Sequence, residues 1–188
     1  KHVRRRQRLW MGSGALVLSA VMALSAVPSF AAWDGFVENT AVQSGAKISL
    51  VDFNNAGAIL KSGAMPMGKY TKNGNLNSAY WGNQAGTKDV YFSDVPKDWT
   101  EYDKIEMEIY SEKATNTEFM FIVETESGAD GSYNYFNLKY KYDWTGWKKF
   151  SIPLTSMGAN RAADWSKVTR IRFTINGWSL VASDAGIY

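Results

Sequence analysis

Tyr110, Tyr135, Asn137, Lys139, Arg170 and Arg172 each alternate with an apolar run. Tyr110 lies opposite in parity to Ile105, Met107 and Ile109. Tyr135, Asn137 and Lys139 lie opposite to Phe136 and Leu138, and Arg170 and Arg172 to Ile171 and Phe173. Successive side chains of a strand point to opposite faces, so the apolar set faces a core and the polar set faces out. If these strands share a sheet, the outward set forms a platform of Tyr, Asn, Lys and Arg. Flat aromatic rings stack on the C–H face of a pyranose, while amide and charged groups hydrogen-bond its hydroxyl rim. Cationic groups there would suit an acidic polysaccharide such as a uronate polymer. The plainer alternative is a solvated sheet face with cross-strand charge pairs, Glu106 or Glu108 with Arg170 or Arg172.

Two tryptophans extend the candidate set. Trp81 follows Tyr80 and precedes Gly82 in a polar stretch, and reads as an exposed loop aromatic or as a lid on the sandwich edge. Trp178, in Asn176-Gly177-Trp178-Ser179, reads the same way, with burial at a strand end as its alternative. Asp52, before Asn54 and Asn55, offers oxygens of the kind calcium takes from loops, or else forms a turn. Glu106 and Glu108 share one face with Cα atoms roughly 6.5–7 Å apart. That spacing is near one that glycoside hydrolysis uses.

Other chemistries are excluded. The chain has no Cys, and its one His is His2. Disulfides, thiolate catalysis and Cys-ligated zinc therefore fall away, as does a Ser-His-Asp relay beyond residue 2.

The elements that must position these residues read as short strands joined by Gly, Asn and Asp turns. They include residues 47–53, 89–92, 103–111, 117–124 and 133–143, and one short strand within each of 144–154 and 164–175. Phe150, Ile152 and Leu154 share one face, and Ile171, Phe173 and Ile175 another. Residues 117–124 are apolar on both faces, as in a covered central strand. No amphipathic helix stands out. The expected fold is all-β, an antiparallel β-sandwich or jelly roll.

Residues 1–31 carry the marks of a secretory signal peptide. Arg4, Arg5, Arg6 and Arg8 precede an apolar run from Met11 to Val27, and small residues stand before a cut after Ala31. This segment holds five of the 21 Lys and Arg and none of the 18 Asp and Glu, which leaves the remainder at net −2. A nucleic-acid partner then loses its electrostatic basis. The apolar run is shorter than the ~20 residues of a membrane span. Residues 32–46 are polar and patternless and read as a linker, and 47–188 as one domain. The chain stops at Gly186-Ile187-Tyr188, which reads as the start of a further strand. A C-terminal truncation and a downstream domain are therefore expected.

Several motifs follow in a fixed order: Asp98-Trp99-Thr100-Glu101-Tyr102-Asp103-Lys104-Ile105, Ile109-Tyr110-Ser111, Gly146-Trp147-Lys148-Lys149-Phe150-Ser151-Ile152-Pro153-Leu154, Trp165-Ser166-Lys167-Val168-Thr169-Arg170-Ile171, and Gly186-Ile187-Tyr188. Together they resemble the β-jelly-roll carbohydrate-binding domains, of galactose-binding-like fold, attached to secreted bacterial polysaccharide lyases and glycoside hydrolases. The nearest resemblance is to modules of heparinase II/III-like proteins. It implies a non-catalytic module that binds a polysaccharide, secreted or on the bacterial cell surface, with calcium as its structural ion. It also assigns Trp147 and Trp165 to framework packing. Two other classes stand beside it: a structural or adhesive sandwich, and a jelly-roll glycosidase using Glu106 and Glu108.

Overall fold

The computed structural model describes residues 37–41 and 47–188. All of them lie in the unit Trp33–Tyr188. The expected signal segment, 1–31, lies outside the described residues. Among those that are described, no helix is long and apolar enough to cross a membrane.

Among the described residues eleven strands form two antiparallel sheets and a small ribbon. The first sheet has the order β2-β1-β6-β9, from Val37–Ala41 (β1), Lys47–Ser49 (β2), Tyr102–Ser111 (β6) and Gly146–Pro153 (β9). The second has the order β10-β8-β7-β11-β5. Its strands are Asp89–Phe92 (β5), Glu118–Thr125 (β7), Asn134–Lys141 (β8), Gly158–Asn160 (β10) and Val168–Thr174 (β11). Met65–Met67 (β3) pairs with Ser78–Tyr80 (β4).

The alternation read from sequence explains how the layers meet. Ile105, Met107 and Ile109 of β6 and Phe150 and Ile152 of β9 are buried on one sheet. Phe119, Phe121 and Val123 of β7, Phe136 of β8, Ile171 and Phe173 of β11, and Val90 and Phe92 of β5 are buried on the other. All belong to one core cluster. Each fully buried Phe or Ile stabilises the fold by about 1.5–3 kcal/mol relative to exposure. Tyr140 of β8 meets Phe150 of β9 edge-on at 4.8 Å, tying sheet to sheet. Trp165 stacks on Phe136 at 3.7 Å and lies parallel to Trp99 at 6.0 Å, so its framework role holds.

Two expectations are corrected here. The stretch read as a linker contains strand β1, which pairs with β6 from Val37↔Met107 to Ala41↔Tyr102. Its place in the ladder comes from main-chain hydrogen bonds, which a polar composition does not reveal. A six-residue helix, α1, spans Ala56–Lys61, in a chain where no helix stood out from sequence. Asn55 caps it by accepting the Ala58 N–H at 3.1 Å. Asn55→Ala should cost about 1 kcal/mol, read as a lower midpoint in urea unfolding at unchanged slope.

Residues 187 and 188 also join the sandwich. Ile187 bridges to Trp81 and Ser111, and the Tyr110 and Tyr188 backbones exchange both hydrogen bonds.

Candidate functional site

The outward face of the second sheet is assembled by register. Glu124 of β7 stands between Arg170 of β11 and Tyr135 of β8. One step along, Ile122 stands between Arg172 and Asn137, and Tyr91 of β5 lies across from Arg172. A step further, Met120 stands between Thr174 and Lys139. Ile122 and Met120 are buried although they point away from the core cluster, so this face has an apolar floor under its polar residues.

Charge is concentrated at Glu124. Arg170 Nε donates to Glu124 Oε2. Arg172 Nε lies 3.0 Å from Glu124 Oε1, and its Nη1 lies 3.6 Å from Asp89 Oδ1. The Glu124 side chain is only 5% exposed, against 30% for Arg170 and 23% for Arg172. Of Glu124 and its two partners, what reaches solvent is therefore mainly arginine, while Asp89 beside them is 28% exposed. Among the described residues four buried side-chain polar atoms lack an aligned hydrogen bond, and three are here: Glu124 Oε1, Arg172 Nε and Asp89 Oδ1. Each of the three nevertheless faces an opposite charge, so the cluster is held by ion pairs more than by aligned hydrogen bonds. The Arg170 guanidinium also sits 4.9 Å from the Tyr91 ring centroid.

Aromatic rings stand at both sides of this cluster. Tyr91, on the edge strand, is exposed. On the other side Tyr135 meets Trp178 edge-on at 6.2 Å, and Trp178 is 43% exposed. Trp178 and Ser179 have φ of +51° and +58°. The Leu180 N–H donates to the Gly177 carbonyl at 3.0 Å. Positive φ at both central residues of such a closed turn defines type I′. That turn prefers Asn-Gly, and a bulky residue there is strained. The turn holds a large ring in solvent at a backbone cost.

Of the residues singled out from sequence, Tyr135, Asn137, Lys139, Arg170, Arg172 and Trp178 are brought to this face or its rim. Tyr110 is not. It lies on β6 in the first sheet, where Tyr70 covers it at 3.7 Å and Trp147 meets its edge. Trp147 faces outward there too, under the Lys72 ammonium, and is not a core packing residue. Trp81 is buried at 3% exposure, and its Nε1 donates to the Thr87 carbonyl. Pairing with Ile187 draws this loop into the sandwich edge, so Trp81 acts as the lid. Trp81→Phe should cost about 1–2 kcal/mol in thermal unfolding, through the orphaned carbonyl, and leave ligand affinity unchanged.

The expected charge pairs are also re-partnered. Glu106 takes Lys104 at 2.8 Å and Lys149 at 3.1 Å, and Glu108 takes Lys72 at 2.8 Å. The hydrogen bond from Lys104 holds the Glu106 carboxyl below its usual range, against a smaller opposing effect of burial. A general acid needs the opposite shift. Asp52 Oδ1 accepts the Asn54 N–H at 2.9 Å, which is a turn-forming bond. Among the described residues no group of three or more His, Cys, Asp or Glu is arranged to hold a metal ion.

Tyr91, Glu124, Asp89, Met120 and Ile122 were missed. Tyr91 had a usable signal in its alternation with Val90 and Phe92. Glu124 had none, because β7 is apolar on both faces.

Residues 60–161 match the model of the family 11 carbohydrate-binding domain. The chain belongs to that family. It is a non-catalytic carbohydrate-binding module with an antiparallel β-sandwich fold. The match is to family 11, and the narrower likeness to modules of heparinase II/III-like proteins is not part of it. Two solved structures from Clostridium thermocellum are similar. One is a family 11 module in complex with a β-1,3-1,4-mixed-linked tetrasaccharide, 16% identical, with a TM-score of 0.45 over 66% of this chain and 76% of that one. The other is the family 11 module of the cellulosomal cellulase Lic26A-Cel5E, also 16% identical, with a TM-score of 0.44 over 66% and 75%. Comparison with curated protein sequences gives no match.

Proposed function

We propose that a polysaccharide chain lies across the outward face of the second sheet, over Tyr135, Glu124, Arg170 and Tyr91, with Trp178 as a clamp at one end. The observation that carries this reading is the cluster of Glu124, Arg170, Arg172 and Asp89, whose partly exposed arginine side chains are set between exposed aromatic rings. Rings supply stacking surface with little rotamer entropy to lose, and the guanidinium groups supply directed donors to hydroxyls. Neighbouring strands are about 4.8 Å apart, so β8 to β5 spans about 14 Å, room for several sugar units. Past Tyr91 the face runs on into a groove bordered by Asp52, Asn55, Lys61 and Asp94.

The module would serve a secreted bacterial polysaccharide-degrading protein, holding it on its substrate. The signal-like residues 1–31 and the family support that setting. Electrophoresis through gels containing polysaccharides tests the binding face. The wild-type chain should be retarded by at least one polymer, and Tyr135→Ala should be retarded markedly less, with affinity down about tenfold. Equal retardation of both would overturn the assignment.

A further inference from the structure

We propose that Glu124 is the residue that makes this face select uncharged polysaccharides over acidic ones. The inference rests on the assignment of the ligand to this face. Two arginines on a sugar-binding surface suggest a carboxylated ligand, and that was the expectation from sequence. The structure shows both already engaged by acids. Glu124 touches Arg170 and Arg172 together, and Asp89 lies on the far side of Arg172. Lys139 of the same face pairs with Glu118 at 3.3 Å. A uronate carboxylate approaching the guanidinium groups would meet a pair whose charge is already cancelled, and would lie close to Glu124.

The arginines are nevertheless not used up as donors. Both meet Glu124 through Nε rather than through the paired terminal nitrogens. A guanidinium has five donors in a planar fork, and contact at Nε leaves terminal N–H groups for another acceptor. Hydroxyls accept such bonds without bringing charge. Glu124 thus leaves donors in place while removing the field that would attract an anion. Its burial suits the role. With its side chain 5% exposed, it cannot be drawn out to a ligand, and its negative charge stays beneath the arginines.

Glu124→Gln keeps the shape and removes the charge. Retardation should be compared in gels of neutral β-1,3-1,4-glucan and of polygalacturonate, at low and high salt. Charge-assisted hydrogen bonds exceed neutral ones by about a factor of ten in affinity. We expect Glu124→Gln to gain about tenfold for polygalacturonate over wild type, and to lose that gain at high salt. Asp89→Asn should gain less, and it serves if Glu124→Gln does not fold, as read by circular dichroism. Tyr135→Ala in the Glu124→Gln background separates the two proposals. If it abolishes the gain, the face is the site. If Tyr135→Ala leaves neutral-glucan binding intact in wild type, the face assignment fails instead. If the face assignment holds and neither acid variant gains on the acidic polymer, the role of Glu124 is refuted.

Discussion

Trp178→Asn is expected to weaken polysaccharide binding by about tenfold with no loss of thermal stability. The two halves have separate causes. Loss of an aromatic contact and its buried area removes on the order of 1–2 kcal/mol, and tenfold in affinity is 1.4 kcal/mol. The turn behaves oppositely. Trp178 and Ser179 sit at φ of +51° and +58°, where a bulky residue costs on the order of 1–3 kcal/mol and Asn costs less. Relief of that strain offsets the lost edge-on contact with Tyr135. Combined with Tyr135→Ala, the loss should approach a hundredfold. Isothermal titration and thermal melts of the same samples check both halves. A Trp178→Asn variant that binds as well as wild type would show the strained turn to be unrelated to the ligand.

The second large effect is alkaline unfolding. Burial pushes the Tyr142 hydroxyl well above the ordinary tyrosine range, with a smaller opposing effect of the hydrogen bond from Gln84. Burial also pushes Tyr140 up to about 12. Tyr188 rises to about 12, through burial and then its hydrogen bond to Glu112. A tyrosine with a raised folded pKa stays protonated where the unfolded chain, near pH 10, has begun to ionise. Stability from these groups is thus complete below about pH 10 and is lost as pH rises toward their folded values. Tyr142 alone should remove roughly 2–3 kcal/mol by pH 12, at 1.36 kcal/mol per unit. Urea midpoints measured from pH 9 to 12 should fall steeply. Tyr142→Phe should be slightly less stable at pH 8 and visibly flatter above pH 10. Parallel slopes for the two proteins would remove Tyr142 from the account.

Much of the sandwich was legible because strands of period two announce which side is core. Ile105, Met107, Ile109, Phe150, Ile152, Ile171 and Phe173 all fall inside as alternation requires. The same parity placed Tyr135, Asn137, Arg170 and Arg172 outward. Parity does not say which sheet a strand joins, and that is why Tyr110 was put on the wrong surface, whereas Trp147 was assigned to packing by the family likeness against its own parity. Topology decides it: β6 pairs with β1 and β9, while β7 pairs with β8 and β11. Glu124 was hidden by the apolar residues around it, and its two arginine partners lie 46 and 48 positions away. Trp81 misled for a different reason. Its polar neighbours suggested a solvated loop, but a backbone bridge to Ile187 turns the ring inward.

The most direct test follows backbone amide shifts as a soluble oligosaccharide of whichever polymer retards the protein in gels is titrated into the isotopically labelled protein. Perturbations are expected at residues 89–91, 120–124, 135–139, 170–174 and 177–179, which converge on one sheet face. Shifts confined to 104–110 and 147–153, on the opposite sheet, would contradict the account.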